Sequence, residues 1–369
     1  MPKARAAGPR LYIPKSMSNL FELRGKLTST QSVILGLAGL GLILLIWWGL
    51  AEYFAVNKTL DPERLEQLDG EELPRSNGEK AYPILPTPGM VLRSFPDLVT
   101  KDDLKGNALH SIWLNIRGYF WAVLLSLPLG FLIGLVPLLR GMFSKPVDAL
   151  RYLPLTALTG LFIIWFGIED EMKIAFLAFG ILVYLLPVVV QRIDEVQDVY
   201  LKTVFTLGAT DWQTVKSVYL PSVLSKVIDD IRVLTAISWT YIIIAELLNR
   251  QGGIGALIYL KARQGQISKV FALLIVIVLI GFLQDRLFVY LDKRLFPFKY
   301  YKTTIPALRE IRTGLLIVFG VMAAAILLQI YMPDMSGTMT MTLWTLVLAA
   351  VALVVFGEVK MRSSLTESA

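Results

Sequence analysis

The sequence predicts an all-α polytopic membrane protein with about eight transmembrane helices, and three observations carry that prediction. Of its 369 residues 55% are apolar and only 18% charged, whereas soluble domains hold roughly 45–50% apolar and about 25% charged residues. The apolar residues are also gathered into uncharged runs at 33–51, 118–139, 152–168, 174–191, 313–333 and 335–357. A bilayer core needs about 17–25 residues of helix, and each run reaches or approaches that length. Finally, the charges collect between the runs with opposite signs in alternate loops.

Spans are expected at 33–55, 112–139, 147–168, 172–190, 229–248, 270–291, 313–333 and 339–357. The tail 1–31 carries six basic residues and one acid. It has no apolar run before residue 33, so the first span, 32–55, is expected to be retained rather than cleaved as a signal peptide. The segment 56–110 carries seven basic and ten acidic residues, and the turn Glu169-Asp170-Glu171 is purely acidic. Residues 293–312 are again basic, six against one. The positive-inside rule therefore places both termini in the cytoplasm and 56–110 outside. One loop disagrees: 249–269 holds Arg250, Lys261, Arg263 and Lys269 with no acid, yet falls outside.

The acidic part of 56–110 reads as solvated chain, and YPILPTPGMVLRSFPDLV as a segment that turns and packs. Asn57-Lys58-Thr59 matches a glycosylation sequon, a pattern that carries no weight in a bacterial protein.

Composition removes several classes of function. Without cysteine there is no disulfide, thiol nucleophile or Cys-ligated metal site, and a single histidine builds no His-rich site. The seven-charge basic excess is accounted for by basic cytoplasmic loops, so no nucleic-acid partner is expected. No GxxxxGK[ST] loop occurs, so the chain does not hydrolyse ATP in that way.

The loop 191–228 carries the most information. Ile193, Val196, Val199, Tyr200, Val204 and Leu207 recur near a 3.6-residue period, which predicts an amphipathic helix over 192–207. Gly208 ends it, and Thr210 or Asp211 is placed to cap a second short helix bearing Trp212, Val215 and Val218. Leu220-Pro221 closes that helix or starts the next span. Two short helices bent at a glycine make a compact knob.

Elsewhere the signals are weaker. Arg250-Gln251-Gly252-Gly253-Ile254-Gly255 reads as a flexible external turn. Gly130 and Gly134 form a GxxxG that suits helix packing. His110 sits at the outer start of a span. Glu246 is costly near hydrocarbon and must find either a cavity or a partner, the nearest being Arg250 at i+4.

Val204-Phe205-Thr206-Leu207-Gly208-Ala209-Thr210 followed by Val218-Tyr219-Leu220-Pro221 closely resembles the EAA loop of binding-protein-dependent ABC importer permeases. Lys202, Thr203 and Val204 stand where that motif has Glu-Ala-Ala. Leu85-Pro86-Thr87-Pro88 with Val91 resembles the LPxPxxV segment of the nitrate/sulfonate/taurine/bicarbonate-type permeases. Ser111 to Gly118, Leu150-Arg151 through Pro154 with Ile164-Trp165-Phe166-Gly167, and Ile231-Arg232 with Trp239, Ala245-Glu246 and Gly253-Ile254-Gly255 resemble successive parts of the same family. The resemblance covers about 82–297. It leaves 298–369, with two further spans, outside the pattern.

The resemblance implies a type I importer permease core over 111–297 in the bacterial inner membrane. It would pass a small anion (nitrate-, sulfonate- or bicarbonate-like) delivered by an external solute-binding protein. A second permease copy and membrane lipid would surround it, and two cytoplasmic ATP-binding subunits would carry the ATP and Mg; this chain would bind no cofactor or metal and catalyse nothing. Coupling to the ATPase would fall on Leu207, Gly208, Ala209, Thr210, Asp211, Trp212, Leu220 and Pro221. The translocation path would use Trp165, Ser238, Trp239, Thr240, Tyr241 and Glu246. The rival readings are an integral-membrane enzyme, whose candidate groups such as Glu246 and Asp285 are scattered, and a membrane scaffold, which leaves the glycine-bent loop without a purpose.

Overall fold

A computed structural model of the chain describes residues 25, 27–57, 80–249, 252–300, 308–331 and 337–367. The acidic stretch 58–79, with two residues of the sequon, Arg250 and the turn 332–336 lie outside the described residues. The chain divides into two units after Phe95.

In the first unit, helix α1 (Ser29–Tyr53) starts at a capping box: Gln31 N–H donates to Thr28 Oγ1, and Thr28 N–H donates back to Gln31 Oε1. Its Leu and Ile side chains are exposed on every side, the mark of a helix that faces lipid. Beyond it, β1 (Val56–Asn57) pairs antiparallel with β2 (Lys80–Ala81), Val56 opposite Ala81. Two bonds tie the proline-rich segment back to α1: Trp47 Nε1 donates to Pro86 O at 2.9 Å, and Tyr82 OH to Glu52 Oε1 at 2.9 Å. Helix α2 (Pro88–Thr100) spans the division between the units.

The second unit is a helical bundle: α3 (Leu104–Leu135), α4 (Pro137–Leu150), α5 (Thr159–Phe166), α6 (Asp170–Asp194), α7 (Asp198–Thr206), α8 (Asp211–Thr214), α9 (Leu220–Asn249), α10 (Ile254–Arg263), α11 (Ile267–Leu295), α12 (Leu308–Tyr331) and α13 (Gly337–Glu367). Among the described residues seven helical runs are long and apolar enough to cross a membrane, or eight if a pair bent by 93° counts as one span.

Helices α3 and α6 form the centre. Buried small residues recur along α3 at Ser111, Gly118, Ala122, Ser126, Gly130 and Gly134, with Asn115 in the same stripe. A Cβ would stand 2.6 Å from Leu177 if added at Gly118, and 2.5 Å from Val189 or Ile193 if added at Gly130 or Gly134. The close approach of the two backbones thus requires the missing side chains. The GxxxG is therefore a packing face, and it is only one part of a longer stripe.

Two expected boundaries are corrected and a third is resolved. The third span is not one helix over 147–168: α4 and the segment 155–166 are bent by 93°. Pro154 lacks the N–H that would bond Leu150 O, so the helix stops there. The amphipathic helix does not begin at Arg192, because α6 runs on to Asp194 and α7 starts at Asp198. Of the two readings of Leu220-Pro221, the second holds: α9 starts at Leu220. A π-helical turn, Val215–Tyr219, carries the chain from α8 into α9 without a break and accommodates the donor that Pro221 lacks.

Helices α12 and α13 pack on each other through Gly314, where a Cβ would stand 2.7 Å from Val354 and 2.9 Å from Ala350 O. Leu291, Ile311, Leu315 and Met361 form their shared core with α11, and Ile228 of α9 packs against it.

Candidate functional site

The knob is held by its own backbone. Gly208, at φ 75°, donates to Phe205 O, and Ala209 N–H donates to Val204 O, each at 3.0 Å. This is the Schellman closure that a left-handed residue permits. Thr210 then opens α8 with a second capping box, accepting from Gln213 N–H and donating its own N–H to Gln213 Oε1 at 2.8 Å. Tyr200, Phe205, Leu207 and Trp212 are left exposed, the last two by 78% and 73%. Such a cluster of apolar side chains marks a contact surface. Beside it lies a cavity of 530 Å³ between Tyr200, Val204, Val218, Pro221 and Phe298.

The base of α9, next to the knob, is bound by charge. Arg192 makes two bonds to Asp230, at 2.7 and 2.8 Å, and pairs with Glu195 at 2.7 Å. Lys226 reaches the same Glu195 at 3.1 Å. The Arg192 guanidinium, helped by Lys226, holds the Glu195 carboxyl below the usual carboxylate range against the opposing effect of burial. Arg232 pairs with Asp285 of α11.

At the other end of α9 a carboxylate takes its hydrogen bonds from neutral donors, with the buried Lys173 charge near enough to attract it. Glu246 is fully buried. Ser111 Oγ donates to its Oε1 at 2.6 Å, and Gly255 N–H, in the first turn of α10, donates to Oε2 at 2.8 Å. Ile254 N–H donates to Ser111 Oγ at 2.9 Å, and Gly253 N–H to Asn107 Oδ1 at 2.8 Å. A carboxylate at a helix N-terminus is favoured by the exposed amides and the helix dipole. A Cβ on Gly253 would overlap the Glu246 carboxyl, and one on Gly255 would stand 2.8 Å from Ile243 O. Gly253 and Gly255 are contact points and not part of a free turn, while Arg250 and Gln251 of the expected turn lie outside the described residues.

A polar chain continues from there into the bundle. Asn115 Nδ2 donates to Ser238 Oγ at 3.1 Å, Ser238 Oγ donates to Thr235 O at 2.7 Å, and Tyr119 OH donates to Thr235 Oγ1 at 3.3 Å. Above it, Asp102 binds Lys261 at 2.5 Å and Lys269 at 2.7 Å. Burial pushes the Asp102 carboxyl up, but the two lysines outweigh it and leave it below its ordinary value. Two of the four charges of the loop 249–269 are thus matched by one acid of the segment 56–110, the side on which the expected topology puts both.

The structure brings Ser238, Trp239, Tyr241 and Glu246 inside the bundle and leaves Thr240 and Trp165 exposed, Trp165 by 64%. Trp239 Nε1 donates to Gln284 Oε1 at 2.6 Å, and the Tyr241 ring packs edge-on against Phe176 and against Gly180. Ser238 and Trp239 thus spend their donors within this chain. Ser111 and Asn115 were not singled out as partners of Glu246 and Ser238. Two polar residues four apart at the head of an apolar span were the available signal. Arg117 was missed as well: its Nε is buried without a hydrogen-bond partner among the described residues. No group of three or more His, Asp or Glu suited to a metal ion occurs among the described residues.

Residues 126–297 match the family model described as "Binding-protein-dependent transport system inner membrane component". A protein of Bacillus subtilis named putative aliphatic sulfonates transport permease protein SsuC is 31% identical over 216 residues, covering 58% of this chain and 77% of the relative. The taurine transport system permease protein TauC of Escherichia coli is 26% identical over 268 residues, covering 73% and 90%. A putative ABC transporter permease protein of Methanocaldococcus jannaschii is 27% identical over 211 residues, covering 56% and 78%. The matched region holds both the glycine-bent knob and the polar end of α9, and over it the chain belongs to the binding-protein-dependent inner-membrane permeases, as a multi-pass permease subunit of an ABC importer.

Proposed function

We propose that this permease passes a small organic oxyanion of the sulfonate type, received from an external binding protein and driven by two cytoplasmic ATP-binding subunits that carry ATP and Mg. The observation that carries the drive is the knob. Its exposed apolar residues are fixed by a Schellman turn and a capping box, and it continues into α9 with no loop between. A groove on an ATPase that grips Leu207, Gly208, Ala209, Thr210, Asp211 and Trp212 would move α9 through Leu220 and Pro221, because a stiff lever transmits displacement and a slack loop does not.

The names of the relatives, sulfonates and taurine, support the solute class. Arg117 supports it too: a guanidinium stays charged, and in a spanning helix without an acid it offers an attraction to a passing anion. Trp165 and Thr240, both exposed in the single chain, then face the second permease copy across the path, while Ser238, Trp239, Tyr241 and Glu246 hold the path's wall in shape.

Deleting the gene should abolish growth on taurine or an alkanesulfonate as sole sulfur source, and the intact gene should restore it. Loss of a cation or neutral sugar as the sole defect overturns the reading. Both termini lie in the cytoplasm on this proposal. In intact cells an impermeant thiol reagent should label a cysteine introduced at position 75 and spare one at position 360; the reverse pattern refutes the orientation.

A further inference from the structure

We propose that Lys299, together with helices α12 and α13, braces the lever by clamping the base of α9 to the end of α11. Lys299 is a positioning residue for transport in this scheme, and the scheme rests on the coupling role proposed for the knob. It gives a purpose to residues 298–369, which begin just past the matched stretch 126–297.

Three acceptors from two helices converge on the Lys299 ammonium. Nζ donates to Ser225 O at 2.7 Å, to Asp229 Oδ2 at 2.9 Å and to Asp292 Oδ1 at 2.9 Å. Tyr300 OH donates to the same Asp292. Ser225 and Asp229 belong to α9, and Asp292 to α11. Asp292 is only 5% exposed, so its charge is tolerable only while the ammonium and hydroxyl stay in place. This is a built junction and not an incidental surface pair.

The C-terminal helices hold the other side of the junction. Glu358 of α13 takes two bonds from Arg294, at 2.6 and 2.8 Å, and one from Tyr290 OH at 2.8 Å. Tyr290 and Arg294 flank Asp292 on α11. Ile228, the neighbour of Asp229 on α9, packs against the core shared by Leu291, Ile311, Leu315 and Met361. Phe298, beside Lys299, walls the cavity next to the knob. Force entering at the knob therefore meets α9 and α11 already joined at the end where it enters, so the two helices move as one body. Unclamped, the base of α9 can slip along α11 and the displacement is lost.

The test uses the intact chain with its partner subunits in sealed vesicles, and reads labelled taurine taken up per ATP hydrolysed. Lys299→Met should lower that ratio by about fivefold or more, the scale of a typical coupling free energy, while ATP hydrolysis and the amount of assembled complex persist. Lys299→Arg should restore most of the ratio, which a role in folding alone does not predict. Asp229→Asn, on a side chain 55% exposed, should reproduce the loss, and it decides the matter if Lys299→Met is absent from the membrane. An unchanged ratio in Asp229→Asn, with wild-type vesicles active, overturns the brace alone. Wild-type vesicles that take up neither taurine nor an alkanesulfonate overturn the functional reading, and the brace with it.

Discussion

Helix α9 meets its surroundings at its base through matched ion pairs, and at its far end through a buried carboxylate held by a hydroxyl and a backbone amide. At the base, Lys226, Asp229, Asp230 and Arg232 each find an opposite charge on a neighbouring segment, and most of those groups keep some contact with solvent. Exposed pairs of this kind are each worth about 0–1 kcal/mol, so the base owes its stability to several contacts together and not to one group. At the far end a single group, Glu246, receives Ser111 Oγ–H and Gly255 N–H with no solvent to substitute for either. The contrast separates two needs. On the proposed coupling role, the end joined to the knob must stay bonded while it moves, and the end that caps α10 must stay where it is.

The sharpest way to break this comparison is at Glu246. Glu246→Ala strands the Gly255 amide, leaves the Ser111 hydroxyl without its acceptor and opens a void, for a combined loss of about 3–5 kcal/mol. Glu246→Gln keeps an acceptor for Gly255 and a donor for Ser111, so its loss should be about 1 kcal/mol. Thermal unfolding of the detergent-solubilised protein should rank wild type, Gln and Ala in that order. An Ala variant as stable as the Gln variant would mean that the cap is not holding this end.

Gly208 tests the opposite end. The space around it is open, so a side chain meets no neighbour, and only its left-handed backbone resists substitution. Gly208→Val should cost about 1–3 kcal/mol of local strain, confined to the knob. On the proposed function, membrane insertion should persist while taurine uptake falls away from ATP hydrolysis. Wild-type uptake with a fully responsive ATPase would remove this glycine from the coupling mechanism.

The sequence made the bundle legible because a bilayer demands long uncharged runs, and it made the knob legible because a helix, a glycine and a capping threonine leave a local signature. What it hid was long-range. Whether Glu246 pairs with Arg250 or with a distant group depends on α3 lying against α9, a separation of 135 residues for the Ser111 bond. The 93° break in the third span was written at Pro154, but hydropathy averages over a break and reads one span. The stripe on α3 was visible only as Gly130 and Gly134, because serine, asparagine and alanine carry no packing signal until α6 is seen against them. Lys299 had none at all: a lysine in a basic linker looks the same whether solvated or bound to three acceptors.

Asp102 lies between the two extremes, a carboxylate nearly buried yet held by cations, and it gives the smallest effect. Lys261 and Lys269 lower its pKa in the folded protein against the opposing effect of burial. A carboxyl depressed in this way adds stability at every pH above its unfolded value of about 3.9, and that stability is lost as pH falls below about 4 through the folded value. From pH 8 to pH 5 the contribution should therefore be flat. Asp102→Asn should cost about 1–2 kcal/mol at neutral pH, between the limits for exposed and buried pairs. Lys261, only 7% exposed, keeps the Gln264 side chain at 3.2 Å as an acceptor, which limits the damage. The difference in melting temperature between wild type and Asp102→Asn should hold steady above pH 5 and shrink below pH 4. A difference that instead grows as the pH falls would show that the lysines do not stabilise the carboxylate, and this end of the bundle would then rest on the buried contacts of Glu246.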